Sequence, residues 1–546
     1  MIARVVTRGR AALVVLLATF ALHLALLPAQ GLTDDDDFYA PAAISYATWL
    51  GDVLTNPGNA LSRARIDAAF TPNHEHPPGA KIVMGLSHTL LHRGLGLCGA
   101  LDAARAGVAL LAAALAALLV LLLWAPLGPG AALAAPALLL SLPRFFFHSE
   151  VATLDVPVAC AVVAVTAAFY WSERNRRFTI ACGVVFGAAL LVKLNAPFAA
   201  LPCALWALAE RWRSARVDKN GVVLPLVPPA LVAMALLGPL IFVVCWPWLW
   251  HDTFERLGAY FAFHLRHYPI LLFYDGEIWE QPFAPWHAPF VLGLGVLPAP
   301  VLMLGLLGVA RAMRALARMV MHGGRSSEDA KVCEGDRLRA LLLLQTLFAI
   351  GIVAFLDVPK YGGEKLFMPF FPLWCALAAD GLALVVGAAR ALWPRVPTRA
   401  ATVVVLGLAV APGVLGTIKH HGGYALSYYG ELVGGLRGAV ARGHERTYYD
   451  VAYKDLAQLL DTRAQALRVH VVPNHKEYVR TFRWLERDRV VGDVALTKER
   501  ARADVIVLTH ERRWQSYPAL KAELEPLLLI DERRIDGVPL WSVYRR

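Results

Sequence analysis

The sequence predicts an all-α polytopic membrane domain followed by a small C-terminal α/β domain, and three observations carry that prediction. Apolar runs recur from residue 11 to residue 418, many near the length of about 20 residues that a helix rising 1.5 Å per residue needs to cross a bilayer. Only 17% of the 546 residues are charged, against roughly a quarter in soluble domains, and the mean hydropathy is +0.50. From about residue 419 the composition changes to one rich in Arg, Glu and Asp, with no long apolar run. The chain therefore divides into a membrane domain, 1–418, and a polar domain, 419–546.

The expected spans number about 11–13. Arg4, Arg8 and Arg10 precede a first span at about 11–27, read as uncleaved rather than as a signal peptide because many spans follow. A long polar segment, 28–79, comes next. Further spans are expected at about 80–97, 104–124, 157–172, 222–245, 287–309, 340–356, 366–386 and 400–418, with short apolar segments at 178–193 and 196–209. Basic residues cluster at Arg174–Arg177, Arg211–Lys219, Arg311–Arg339 and Arg390–Arg399, which places those loops inside. Segments 28–79, 246–286 and 357–365 and the C-terminal domain then share the outer side. Trp246, Trp248, Trp250, Trp279 and Trp286 suit an aromatic belt there. Segment 131–147 must be re-entrant or a pair of half-helices if Asp155 is to face outside. Such backbone survives only when buried in protein or lining a cavity, so a cavity is expected beside it.

In the polar domain, 468–473 and 503–509 read as strands, and 476–487 and 519–525 as helices. Segments 527–531 and 540–544 flank Asp536–Gly537, a hairpin signal. No catalytic motif is evident in this domain.

The formal charge of +11 would suggest nucleic acid in a soluble protein. Here the basic residues sit in short loops between spans, so lipid headgroups and lipid phosphates are the anionic partners expected, not nucleic acid. All seven cysteines lie in the membrane domain without CxxC spacing, which supports neither a disulfide framework nor a zinc cluster. No Walker motif, no GxGxxG after a strand and no internal repeat is visible, which counts against an ATPase.

Five groups of residues can carry chemistry. Asp34-Asp35-Asp36-Asp37-Phe38-Tyr39 follows the first span. Four adjacent carboxylates need a metal, a basic pocket or full hydration, so the run is a base or divalent-cation site, or else a hydrated acidic loop. Asn73-His74-Glu75-His76-Pro77-Pro78-Gly79-Ala80-Lys81 enters the second span. Its prolines start a helix, and three consecutive His-Glu-His residues do not point the same way, which disfavours a metal. Lys81 either snorkels or holds a phosphate. Arg144, Glu150 and Asp155 lie in an apolar stretch, where charge is costly and defaults to paired or functional roles. Asp155, two residues before Pro157, serves either as a helix cap or in a site. Lys193 inside an apolar run either snorkels or meets a lipid phosphate. Lys360-Tyr361-Gly362-Gly363-Glu364-Lys365 combines charge with two glycines that permit close backbone approach, or is an ordinary loop. His264, Arg266 and His267 lie in the outer aromatic segment without distinguishing features.

The acidic cluster ending in Phe-Tyr, then HPPxxK, then Leu-Asp before a span, then a Gly-Gly loop ahead of LFMPFFPL, together resemble the GT-C glycosyltransferases of family 39 over about residues 11–390. That family includes protein O-mannosyltransferases and the lipid A aminoarabinose transferase. The resemblance implies a GT-C-like membrane domain, a polyprenyl-phosphate sugar donor and inverting transfer outside the membrane. It implies catalytic carboxylates at Asp35 and Asp36, counted back from Tyr39, with Asp155 as the second-loop Asp. Asp36 stands where the family has Glu. Glu150 stands where a protein mannosyltransferase has Arg, which moves the phosphate-binding duty to Lys81, Lys193, Arg144 or Lys365. His76, Glu150 and Tyr361 complete the expected pocket. If a divalent metal takes part, Asp35, Asp36 and Asp155 are its expected ligands.

The chemistry is coherent on its own terms. A sugar phosphodiester has a good leaving group, so the acceptor hydroxyl needs a base and the leaving phosphate needs cations. The acceptor is a protein, lipid or glycan, and the setting is the inner membrane. A transporter of lipid-linked sugars would predict inverted repeats and mid-membrane charges, and a tethered scaffold would leave the acidic run and HPPxxK unused.

Overall fold

The computed structural model describes residues 2–211, 217–218, 221–222, 227–266, 270–280, 284–322, 333–355, 358–449, 451–463, 467–492 and 494–546. Arg213, Arg216, Lys219 and His267, used in the topology reading, lie outside them.

Seven helical segments among the described residues are long and apolar enough to cross a membrane: Thr7–Ala29, Ala100–Leu123, Asp155–Ser172, Ala299–Met321, Glu334–Ala354, Phe370–Leu392 and Thr398–Lys419. Shorter apolar helices span Pro129–Leu140, Phe178–Leu190 and Pro229–Val244. Two more segments read as spans are the short helices Gly79–His88, extended by a wide turn over Thr89–Gly94, and Ala200–Arg211. The domain is a polytopic helical membrane domain; against the expected 11–13 spans, seven helices among the described residues have spanning length, and the other apolar helices are shorter.

Residue size sorts the helices by depth. Ala103, Ala104, Ala106, Ala112, Ala113 and Ala116 bury the 100–123 helix at the centre of the bundle, since small residues let helix backbones approach closely in lipid. Leu13, Val14 and Leu17 on the first helix, and Val403, Val404 and Leu408 on the last, stay exposed, as lipid-facing side chains should. Gly85 marks a tight helix crossing. A Cβ on it would stand 2.1 Å from the Ala43 carbonyl oxygen, so the 79–88 helix lies directly against helix Asp34–Thr55. At mid-helix in 370–392, Asp380 is clasped by Arg339 at 2.8 Å and Arg311 at 3.2 Å.

Two findings reshape the sequence reading of the outer segments. The acidic run is not a loop but the first turn of helix Asp34–Thr55. Thr33 caps it, and Asp36 returns a bond to the Thr33 amide at 2.9 Å, completing a capping box. Carboxylates are favoured at the positive end of a helix, which helps four of them coexist. Segment 131–147 is a pair of half-helices, Pro129–Leu140 and Pro143–His148, broken ahead of Pro143.

After Lys419 the chain folds back onto the membrane domain. Val451–Ala452 pair antiparallel with Leu32–Thr33, joining the C-terminal region to the residues before the acidic turn. The polar domain holds a four-stranded sheet, β1 (Val469–Val472), β2 (Val505–Thr509), β3 (Leu528–Ile535) and β4 (Val538–Arg545), in the order β1-β2-β4-β3. β1 and β2 run parallel, and the β3–β4 hairpin turns at Asp536 and Gly537, both at positive φ. Helices His475–Arg487 and Tyr517–Leu524 pack with it.

Candidate active site

A cavity of about 360 Å³ opens where the first outer segment, the loop before the 370–392 helix and the C-terminal region meet. Asp34, Asp35, Phe38 and Tyr39 line it from the acidic turn, and Asn73, Glu75 and His76 from the segment before Pro77. Tyr361, Gly362 and Lys365 come from the glycine loop, Phe263 and Ile270 from the aromatic segment, and Tyr448, Tyr449 and Arg513 from the C-terminal region.

The four carboxylates point in different directions. Asp35 faces the cavity, with the Lys365 ammonium 2.7 Å from its Oδ2 and the Tyr449 hydroxyl donating to the same oxygen. Asp36 faces the bundle and is fully buried. Its Oδ1 accepts from Arg105 Nε at 3.0 Å and the Ala152 amide at 2.7 Å, and its Oδ2 from Arg105 Nη2 at 2.6 Å. Asp37 accepts from Trp484 Nε1 at 3.0 Å and pairs with Arg480 at 3.0 Å, with Asp34 3.7 Å from the same guanidinium. The cations that separate these charges thus come from three distant parts of the chain.

Asp155 does not cap its helix; it is the first helical residue, and no side chain caps the preceding Leu154. It lies buried behind the cavity wall, with Lys193 Nζ at 2.7 Å from Oδ1 and His148 Nδ1 at 3.6 Å from Oδ2. His148 Nε2 stands 3.5 Å from Glu364, which binds Arg144 at 2.8 Å. Arg144 also donates to the Tyr428 carbonyl at 2.8 Å and lies over the Tyr429 ring. Glu150 is held by His23 at 3.2 Å and Gln30 at 3.1 Å. The cavity expected beside 131–155 is therefore a sealed layer of ion pairs, and the open space lies one layer further out. The three aspartates read as one pocket separate: Asp35 is on the wall, Asp36 and Asp155 are behind it.

The candidate phosphate-binding cations separate in the same way. Lys365 is on the wall. Lys81 is fully buried, and its ammonium donates to the Asn73 carbonyl at 2.6 Å, Asn73 Oδ1 at 2.8 Å and the His76 carbonyl at 2.8 Å. It ties the segment carrying Glu75 and His76 to its helix. Lys193 and Arg144 belong to the ion-pair layer. His76 and Tyr361 do line the cavity; Glu150 does not. Each of Asp35, Asp36 and Asp155 has its own cation, Lys365, Arg105 or Lys193. Among the described residues no three His, Cys, Asp or Glu side chains are grouped to hold a metal ion.

The glycine loop explains why two consecutive charges serve two layers. Gly362 and Gly363 both adopt positive φ, 65° and 60°, a region costly for other L-residues. A Cβ on Gly363 would also stand 3.0 Å from the Tyr448 Cβ. This turn sends Glu364 inward to Arg144 and Lys365 to Asp35. Burial would raise the Glu364 carboxyl, but the Arg144 charge and the His148 contact together outweigh that and hold it at about 2. For Lys365, burial disfavours the charge, and Asp35, Asp155 and Tyr361 together more than restore it, so the pKa is raised. Burial, reinforced by Lys81, pushes His76 well below its ordinary value, so it is neutral.

Sequence reasoning missed Arg105, Tyr448, Tyr449 and Arg513, and it named Glu364 only as part of the glycine loop. Arg105, a charge inside an apolar run, carried a usable signal; the tyrosines and Arg513 carried none.

Residues 75–248 match the family model described as dolichyl-phosphate-mannose-protein mannosyltransferase. The match covers about a third of the chain and contains His76, Lys81, Arg144, Glu150, Asp155 and Lys193. The resemblance drawn from the sequence thus meets a family model over the part that carries HPPxxK and the second-loop Asp. No curated protein sequence matches the chain. Among solved structures it is similar to ArnT from Cupriavidus metallidurans bound to undecaprenyl phosphate, at 15% identity, covering 99% of this chain and 97% of that one, with a TM-score of 0.46. The apo form of the same protein gives 18% identity, the same coverage and a TM-score of 0.47. The archaeal oligosaccharyltransferase AglB from Archaeoglobus fulgidus, in complex with an inhibitory peptide and a dolichol-phosphate, gives 12% identity, 97% and 74% coverage and a TM-score of 0.43.

Proposed function

We propose that this protein is a GT-C-type glycosyltransferase that moves a sugar from a polyprenyl-phosphate donor to an acceptor hydroxyl at the outer face of the inner membrane, with inversion. The observation that carries the reading is Asp35, a carboxylate on the wall of an open cavity with the Lys365 ammonium 2.7 Å away. The acceptor oxygen attacks the anomeric carbon from the face opposite the phosphate. Its proton passes to Asp35, the carbon–oxygen bond to phosphate breaks, and the phosphate leaves with the electron pair. Lys365 meets the charge that develops on it. A carboxylate base contributes roughly 10²–10⁴-fold and one well-placed cationic donor a further factor of about 10²–10³. The family model over 75–248 supports this class of donor.

Asp36 and Asp155 act on this reading through structure: Asp36 fixes the helix start, and Asp155 with Lys193 sets the field behind Lys365. Lys81 shapes the wall that carries Glu75 and His76. Divalent-ion assistance, the other version of the same chemistry, would act beside Asp35, and a chelator titration of the transfer assay separates it from charge neutralisation by lysine alone. The test is transfer by the purified protein in lipid nanodiscs from polyprenyl-phosphate sugars to candidate acceptors, with the anomeric configuration of the product read by NMR. An inverted product supports the reading; a retained configuration, or no transfer from any such donor, removes it.

A further inference from the structure

The two oxygens of Asp35 are not equivalent. Lys365 and the Tyr449 hydroxyl both engage Oδ2, and the residue lines the cavity wall. Asp36 offers the contrast, with both oxygens occupied. Asp155 differs again: Lys193 takes Oδ1, and Oδ2 is sealed from solvent. A carboxylate that must take a proton needs one oxygen held and the other open.

We propose that Tyr449 is a positioning residue of this site, whose hydroxyl fixes Oδ2 of Asp35 so that Oδ1 faces the acceptor oxygen. This rests on the glycosyltransferase reading. The contact joins residues 414 positions apart, and it is the point where the C-terminal region reaches the carboxylate. The Tyr449 ring does a second task, carrying the Lys365 ammonium 4.8 Å from its centroid and meeting His148 edge-on at 5.8 Å. The hydroxyl is a secure donor, because burial, reinforced by the Asp35 charge, raises its pKa far above the ordinary phenol range.

Tyr449→Phe isolates the hydroxyl, since the ring and its contacts remain. The other groups facing Asp35 are Lys365 and Tyr361 from the glycine loop, and Asp155 with Lys193 from behind. Tyr39 on the same helix, Glu75 and His76 across the cavity and Arg513 complete the surroundings. All are unchanged in the variant. The expected result is a kcat lower by about ten- to a hundredfold at unchanged donor KM. The orientation of the Asp35 carboxylate in cryo-EM maps, which needs no turnover, should differ between the variant and the wild type. A variant with wild-type kcat, while Asp35→Asn is inactive, overturns the role of Tyr449 and leaves the glycosyltransferase reading standing. If the wild type transfers nothing, that reading falls, and the carboxylate orientation decides Tyr449 alone: a reoriented carboxylate supports the clamp, an unchanged one overturns it.

Discussion

Asp35 and Asp36 are consecutive residues in one helical turn, yet they belong to two regions with different physics. Asp35 stands on a cavity wall shared with Lys365 and Tyr449, both of which engage its Oδ2. Asp36 lies in the layer behind, where it and Arg105 are both fully buried. That layer continues through Arg144–Glu364 and Lys193–Asp155, with His148 between the two carboxylates. In a helix, neighbours point about 100° apart, so an acidic run cannot act as one site. One residue reaches the solvent-filled side and the next anchors the bundle. The difference teaches that adjacent charges in one helical turn serve different layers of the fold.

The sharpest way to break the comparison is at Arg105. Removing one partner of a buried pair strands the other charge, at a cost of about 3–5 kcal/mol, whereas replacing both with apolar residues is often neutral. Arg105→Met should therefore lose most of its folded yield in detergent, and Arg105→Met with Asp36→Leu should recover much of it. Equal loss in both would show that the pair does more than balance itself. At the wall, Lys365→Met should cost less stability than Arg105→Met, because its pair with Asp35 borders the open cavity, and should lower donor-side kcat/KM by about 10²–10³, read in the transfer assay with donor varied.

Smaller effects sharpen the boundary. His76 is neutral in the folded protein because burial lowers its pKa, while in the unfolded chain it takes a proton below about 6.5. The unfolded state therefore binds more protons as the pH falls below that value, and stability drops. Going from pH 7.5 to 5.5 should cost at most about 1.4 kcal/mol through this residue, seen as a fall in thermal midpoint that His76→Asn reduces. Arg480, part-exposed, links Asp34 and Asp37 and lies over Phe38. Arg480→Ala should cost no more than about 1 kcal/mol by thermal midpoint, with a modest drop in turnover from a looser acidic turn.

Much of the fold was legible because hydropathy and turn chemistry act locally. Most of the long apolar runs became helices, segment 131–147 divided into two half-helices, and Asp536–Gly537 made the hairpin. The capping box was equally local, Thr33 with an acid three residues on, but the acidic run drew attention as charge rather than as a helix start. In the site, Asp35, Lys365, His76 and Tyr361 do meet at one cavity. What the sequence hid was the choice between adjacent carboxylates, because it depends on Arg105, 69 residues away, and on Tyr449, far beyond the membrane domain. Lys81 shows the converse. Its position suggested a phosphate, and only the carbonyls of Asn73 and His76 folding around it reveal its engagement.

The most direct test sets the two neighbours side by side: Asp35→Asn and Asp36→Asn, each measured for thermal midpoint and for sugar transfer per folded molecule. Asp35→Asn should keep a near-native midpoint and lose transfer by about 10²–10⁴-fold, while Asp36→Asn should lose stability and retain transfer in the fraction that folds. Transfer that survives in folded Asp35→Asn, or vanishes in folded Asp36→Asn, would contradict the account.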